Sequence, residues 1–101
     1  MEGILSILSE PTRRRMLDAL RDGERSAGEL ERLLGIGQPM ASKHLRVLRE
    51  AGLVRVRKEA QRRIYALDAR PLAELDSWLA SYRHFWTDAL DGLARHLGQE
   101  S

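Results

Sequence analysis

From Leu72 to Leu97 apolar residues return at helical spacing: Leu72, Leu75, Leu79, Tyr82, Trp86, Leu90, Leu93 and Leu97. The steps are three or four residues throughout, which is the signature of one helix face. Trp78, Phe85 and Ala89 widen the stripe, and four of the five aromatic residues fall between positions 78 and 86. The spacing predicts a single helix from Pro71 to Leu97, ~40 Å long at 1.5 Å per residue. A chain of 101 residues has one small core and cannot fold back over a stripe of that length. The simplest cover is a second copy of the chain. The expected homodimer interface joins this helix to a short apolar run at the start. It comprises Ile4, Leu5, Leu8, Leu75, Trp78, Leu79, Tyr82, Phe85, Trp86, Leu90 and Leu93. The alternative is a core helix packed wholly within its own chain.

The segments before the stripe are short and sharply punctuated. Ile4, Leu5, Ile7 and Leu8 predict a leading helix, and residues 10–22 a second one with Met16, Leu17 and Leu20 inward. Ser9 is its expected N-cap, with Pro11 tolerated in the first turn because the missing N–H would be unpaired there. Ser26-Ala27-Gly28-Glu29 has the form of a capping box, in which each side chain satisfies an orphan amide. The helix that follows should bury Ala27, Leu30, Leu33 and Leu34, with Gly35 as a left-handed stop. After a tight connection, a further helix should begin near Gln38 and run to Ala51, with Ala41, Leu45 and Leu48 inward. Two helices joined by a three- to four-residue turn, the second polar and basic outside, fit a helix-turn-helix over 26–51. Leu53-Val54-Arg55-Val56-Arg57 and Arg63-Ile64-Tyr65-Ala66-Leu67 then alternate with period two. They predict a β-hairpin over 53–67. Its tip holds neither Gly nor Asn, so a two-residue turn is not expected. The fold class is therefore mainly α with a small β-hairpin, a single winged helix-turn-helix domain. Four helices are followed by two strands and a last helix over 70–97, with dimerisation through the first and last helices.

Charge is distributed unevenly along this order. The net charge is only +2, but residues 1–36 carry −1, residues 37–70 carry +6 and residues 71–101 carry −3. The basic third coincides with the second helix of the helix-turn-helix and the hairpin, which is an electrostatic footprint for nucleic acid. The chain has no cysteine, which excludes disulfides, thiolate metal sites and thiol redox switches. No window approaches the ~20 apolar residues of a membrane span, and the first residues lack the basic region of a secretory signal. A cytoplasmic protein without membrane contact is the expectation.

The residues Glu10-Pro11-Thr12-Arg13-Arg14-Arg15-Met16-Leu17, the run Gln38-Pro39-Met40-Ala41-Ser42-Lys43-His44-Leu45-Arg46-Val47-Leu48-Arg49-Glu50-Ala51-Gly52-Leu53-Val54, and Arg62-Arg63-Ile64-Tyr65-Ala66-Leu67 closely resemble the ArsR family of dimeric bacterial repressors. The match spans residues 9–68 in register. Phe85-Trp86-Thr87-Asp88-Ala89-Leu90 resembles the branch of that family without metal-sensing cysteines, whose members often accompany START-like ligand-binding proteins. The resemblance implies a repressor, and it suggests autorepression by promoter occlusion. Three departures stand out. Gly37 occupies a position where the family often has Ser, Ala60-Gln61 stands where the hairpin tip often has Gly, and Ala27-Gly28-Glu29-Leu30 replaces the metal sensors' Cys-x-Cys. The Asp-x-His motif of other metal sensors is also absent from the last helix, where Asp76 is followed by Ser77 and Trp78.

The candidate DNA contacts follow from side-chain chemistry. Gln38 can pair bidentately with adenine, Ser42 can donate or accept, and Lys43 can reach guanine O6 and N7. Pro39, Arg46 and Arg49 complete the exposed face, and the helix N-terminus favours a phosphate. His44 either contacts a base or phosphate, or packs against the preceding helix. Arg57, Lys58, Arg62 and Arg63 flank the hairpin tip, where they can follow the backbone or enter a minor groove. Of Arg13, Arg14 and Arg15, one or two are read as salt-bridge partners of Asp18, Asp22 or the acidic flanks. The expected partners are double-stranded DNA and a second copy of the chain. No cofactor is expected. His84 and Asp88, four apart on the last helix, with His96 beyond, are the weak candidates for a metal. The aromatic cluster is the place where a small-molecule effector would fit, against the plainer reading as interface core. No nucleophile, base and orienting group can be assembled into an enzyme site. The rival to DNA binding is a winged-helix protein-interaction module, which calls for apolar or acidic residues on the exposed helix face.

Overall fold

A computed structural model describes residues 1–98 in full and residues 99 and 100 as helix backbone. The elements run α1 (Glu2–Leu8), α2 (Pro11–Arg21), β1 (Arg25–Ser26), α3 (Ala27–Leu34), α4 (Gln38–Glu50), β2 (Val54–Glu59) and β3 (Arg62–Leu67). A 3-10 turn (Arg70–Leu72) then leads into α5 (Ala73–Ala80) and α6 (Arg83–Glu100). The core is formed where α2, α3 and α4 meet the inner face of the sheet. Met16, Leu30, Leu48 and Leu53 are fully buried there, with Leu20, Ala41, Leu45, Val54 and Tyr65 around them.

Most of the helix-turn-helix follows its local signals. Ser26 accepts from the Glu29 amide at 3.1 Å while the Glu29 carboxylate accepts from the Ser26 amide at 3.1 Å, a complete capping box. Gly35 adopts φ 67°, and the Ile36 amide donates back to the Glu31 carbonyl at 3.1 Å, so α3 ends in a Schellman turn. α4 begins after Gly37, with no side-chain cap and with Pro39 in its first turn. Leu33 departs from expectation: it is exposed, while Leu30 and Leu34 are buried. The reason is angular. Residue 33 lies about 100° around an α-helix from residue 34, and only an arc centred on Leu30 and Leu34 meets the core.

Four further expectations are corrected. The N-cap of α2 is Glu10, not Ser9; the Glu10 carboxylate accepts from the Thr12 amide at 3.2 Å, and the Ser9 hydroxyl turns back onto the Ser6 carbonyl. The hairpin does close through two residues, with Glu59 paired to Arg62 across Ala60-Gln61. Ala60 takes φ 55° to do so, a positive value of the kind that primed hairpin turns require and that a Cβ disfavours. The sheet has three strands rather than two, in the order β1-β3-β2, all antiparallel, with Arg25 opposite Tyr65 and Ser26 opposite Ile64. The last helix is interrupted between α5 and α6. There the Ser81 hydroxyl and amide both donate to the Trp78 carbonyl, at 2.8 and 3.3 Å, and the Tyr82 amide bonds Leu79 three residues back. Serine back-bonding of this kind competes with the helical ladder and bends it.

The arm formed by α5 and α6 projects from the rest. The chain measures 60 × 30 × 21 Å with a radius of gyration of 18.2 Å, against about 13 Å for a compact domain of this size. α1 lies at the arm's root: the Met1 amine pairs with Glu74 at 2.9 Å, and Ile4, Ile7 and Leu8 pack partly buried against the core.

Candidate nucleic-acid interface

α4 presents two unlike faces because its buried residues, Ala41, His44, Leu45 and Leu48, occupy a single arc. Gln38, Pro39, Ser42, Lys43, Arg46 and Arg49 are all exposed on the remainder. At its N-terminal end the Gln38 amide donates to the Ser42 hydroxyl at 3.0 Å, so the two polar groups closest to the helix start are already oriented together. Between this face and the hairpin lies an open groove of about 1100 Å³. Arg32, Lys43, Arg46, Arg49, Arg62 and Arg63 line it, with Glu31 as the one carboxylate among the lining residues. Six cations around a concave surface focus a positive potential into it.

His44 is not part of that surface. It is 6% exposed, and its Nδ1 accepts from Arg13 Nε at 3.2 Å. His44 is therefore buried and bonded to α2, not to the preceding helix α3, and it does not stand among the exposed DNA-facing residues where the sequence also placed it. The same bond corrects the reading of the arginine triplet. Arg13 holds His44, Arg14 donates to the Leu8 carbonyl, and Arg15 donates to the Leu34 carbonyl at 3.4 Å. Among the described residues none of the three pairs with Asp18 or Asp22; they tie α2 to its neighbours through acceptors that are not acidic. Conversely, Arg32 lines the groove and was not singled out from the sequence. Its position in the last turn of α3, within the acidic first third, hid it.

The hairpin cations fall into two groups. Arg57 donates to Glu24 at 2.8 Å and to Glu59 at 2.9 Å, and these carboxylates raise its pKa above the ordinary arginine value. Arg62 donates to Glu29 at 3.2 Å. The Ser26 amide, the Ser26 hydroxyl and then Arg62 and Arg25 hold the Glu29 carboxyl below its usual range. Lys58 and Arg63 sit opposite each other across the ladder, with no acidic partner among the described residues. At the base of the hairpin Asp68 is buried. It accepts a forked contact from Arg70, including Nη2 at 2.6 Å, and a bond from the Arg70 amide at 3.1 Å. Those bonds bring its pKa down to about 2.

The residues expected at a dimer interface split by depth. Ile4, Leu8, Leu75 and Leu79 are half-buried, and Leu5, Trp78, Tyr82, Phe85, Trp86, Leu90 and Leu93 are exposed. Phe85 and Leu90 are each 65% exposed. The aromatic side chains stand on the arm's surface, with Trp78 edge-on to Tyr82 at 5.2 Å between ring centres. Among the described residues no three His, Cys, Asp or Glu side chains come together in a way that would hold a metal. His84, a weak metal candidate with Asp88 and His96, lies with its ring against Phe85 at 4.0 Å. Among the described residues no helix is long and apolar enough to cross a membrane.

A helix-turn-helix whose second helix borders a basic groove closed on the far side by a β-hairpin is a winged helix-turn-helix. Comparison with known proteins narrows that class. Residues 8–57 match the family described as a helix-turn-helix domain. The chain is 41% identical over 93 residues to the HTH-type transcriptional regulator Rv2034 of Mycobacterium tuberculosis, covering 92% of this chain and 84% of the relative. It is 43% identical over 72 residues to the biofilm growth-associated repressor of Xylella fastidiosa, covering 71% of this chain and 63% of that protein's length. The crystal structure of an ArsR family transcriptional regulator superposes with a TM-score of 0.73 at 30% identity, over 85% of this chain and 89% of the other. The chain belongs to the ArsR family of winged helix-turn-helix transcriptional regulators.

Proposed function

We propose that this chain is a DNA-binding transcriptional repressor that acts as a homodimer on an inverted-repeat operator, including one at its own promoter. The observation that carries the reading is the basic groove between α4 and the hairpin. Its cations border the exposed N-terminal half of α4, which is the part of a recognition helix that reaches base edges in a major groove. A protein-interaction module would show apolar or acidic groups there, whereas Lys43, Arg46 and Arg49 are exposed. Gln38, Ser42 and Lys43 would read bases, and the flanking arginines would neutralise phosphates. The unpartnered apolar face of α5 and α6 supports pairing of two copies about a two-fold axis. That axis would set half-sites roughly 10 bp apart, centre to centre. Four or five phosphates neutralised per protomer give a log–log salt slope of about −7 to −9 for the dimer. Similarity to a protein named as a repressor supports repression over activation, and a regulator that acts on bacterial chromosomal DNA would work in the cytoplasm. A gel shift on DNA from immediately upstream of the chain's own gene tests the reading. A discrete complex that resists excess unrelated duplex is expected. Equal binding to every duplex, or tight binding of a monomer to a non-palindromic site, would refute it.

A further inference from the structure

Resting on that reading, we propose that Glu24 and Glu29 hold the wing against α3 and thereby divide its cations. Arg57 and Arg62 serve to position the hairpin, while Lys58 and Arg63 alone contact phosphate. Two independent features support this. The first is the backbone hydrogen-bond ladder between β1 and β3. Glu24 and Glu29 flank β1, and β1 is hydrogen-bonded to β3 through the Arg25–Tyr65 and Ser26–Ile64 pairs. The two carboxylates are therefore carried to the hairpin by a backbone ladder and do not depend on chance side-chain encounters. Glu24 then meets Arg57 on β2 at 2.8 Å, and Glu29 meets Arg62 on β3 at 3.2 Å. Glu29 is further fixed because the same oxygen, Oε1, accepts the Ser26 amide in the capping box. One carboxylate joins the start of α3 to the tip of the wing.

The second feature is the pleat. Cross-strand partners share a face of the sheet. Lys58 and Arg63 share theirs with Val56 and Tyr65, the face that packs on the core further along the hairpin, and Arg63 borders the groove. Arg57 and Arg62 lie on the opposite face, with Ile64 and Glu59; Arg62 borders the groove, but its guanidinium is engaged by Glu29. A phosphate that took Arg57 from Glu24 would leave a bare carboxylate beside a polyanion. It would also exchange one anion for another, with little net release of counterions. Lys58 and Arg63 carry no such opposing term.

The experiment measures binding to a fluorescein-labelled mixed-sequence duplex of about 30 bp, since phosphate contacts are independent of sequence. Anisotropy is recorded across a salt series for the full chain. Lys58→Ala and Arg63→Ala should each flatten the log–log slope by about 0.9 per protomer. Arg57→Ala and Arg62→Ala should leave it within about half that value. The double variant Glu24→Gln, Glu29→Gln keeps an acceptor for the cap, because glutamine also serves at that position. It should bind tighter and steepen the slope, as Arg57 and Arg62 become available. If all four cation variants flatten the slope alike, or if the double Gln variant leaves both affinity and slope unchanged, the division of the wing is wrong while DNA binding stands. If the wild-type chain binds no duplex at any salt concentration, the DNA reading fails, and this proposal falls with it.

Discussion

The exposed face of the arm gives the most quantitative test of self-association, through Trp86→Ala. Trp86 lies on the same α6 arc as Leu90, Leu93 and Leu97, and it is 48% exposed in the single chain. A tryptophan can bury up to roughly 250 Å², so the exposed part amounts to about 120 Å² available to a partner. At about 25 cal/mol per Å² its burial is worth ~3 kcal/mol per copy. A two-fold interface contains the residue twice, so full coverage would make the substitution cost ~6 kcal/mol and half coverage ~3 kcal/mol. With each 1.4 kcal/mol worth about tenfold, the dimer dissociation constant should rise by about two to four decades. Sedimentation equilibrium over a concentration series measures it, and circular dichroism checks that α6 is retained. Arg95→Ala, about 180° around the helix from the centre of the stripe, is the control and should change the constant by less than about threefold. The reasoning is refuted if the wild type sediments as an 11.5 kDa species at about 100 µM, well above the micromolar dissociation constant of a weak complex. It is equally refuted if Trp86→Ala associates as tightly as the wild type.

Three further outcomes follow from the same geometry. Arg62→Glu with Arg63→Glu should weaken operator binding by at least about a hundredfold, through the reversed phosphate contact at Arg63, the broken Arg62–Glu29 pair and two new negative charges beside the DNA; intact affinity in a gel shift would remove the wing from the interface. Ala60→Gly should stabilise the protein by about 0.5–1 kcal/mol in urea denaturation, because glycine takes φ 55° without a Cβ penalty; a loss of stability would mean that the turn is unstrained. The Asp68 carboxyl is held at about 2 by Arg70, below its ordinary 3.8. A depressed folded-state pKa contributes stability that is complete above the unfolded value and lost as pH falls through the folded one. Urea midpoints should therefore drop between about pH 4 and pH 2, and Asp68→Asn should flatten that part of the profile.

The parts of the fold that were legible in the sequence are those decided within one turn of chain. The Ser26–Glu29 capping box, the Gly35 stop, Pro39 in the first turn of α4 and the inward Ala41, Leu45 and Leu48 all follow from neighbours three or four residues away. The parts that were not legible depend on partners distant in sequence. β1 is two residues long, too short for any periodicity to register, and it exists because β3 offers a free edge. Arg13 finds His44, 31 positions away, and Arg57 finds Glu24, 33 positions away. Local charge counting points one or two of Arg13, Arg14 and Arg15 toward acidic neighbours, whereas their acceptors lie on α1, α3 and α4. Ala60 illustrates a third case: local preference argued against a two-residue turn, but the ladder from Val54–Leu67 to Glu59–Arg62 overrode it.

The apolar stripe from Leu72 to Leu97 shows the same division. Its spacing determined by itself that the C-terminal segment is helical and that one face needs cover. It also separates this apolar stretch from the basic run between Gln38 and Arg63. Only the tertiary structure decided that the helix breaks at Ser81, where a side-chain hydroxyl competes for the backbone. Only there does it become apparent that Leu75 and Leu79 sink partly into the domain while Trp86, Leu90 and Leu93 stay exposed. Periodicity reports the direction of an apolar face, but the depth of its burial depends on which other surfaces the fold brings within van der Waals reach.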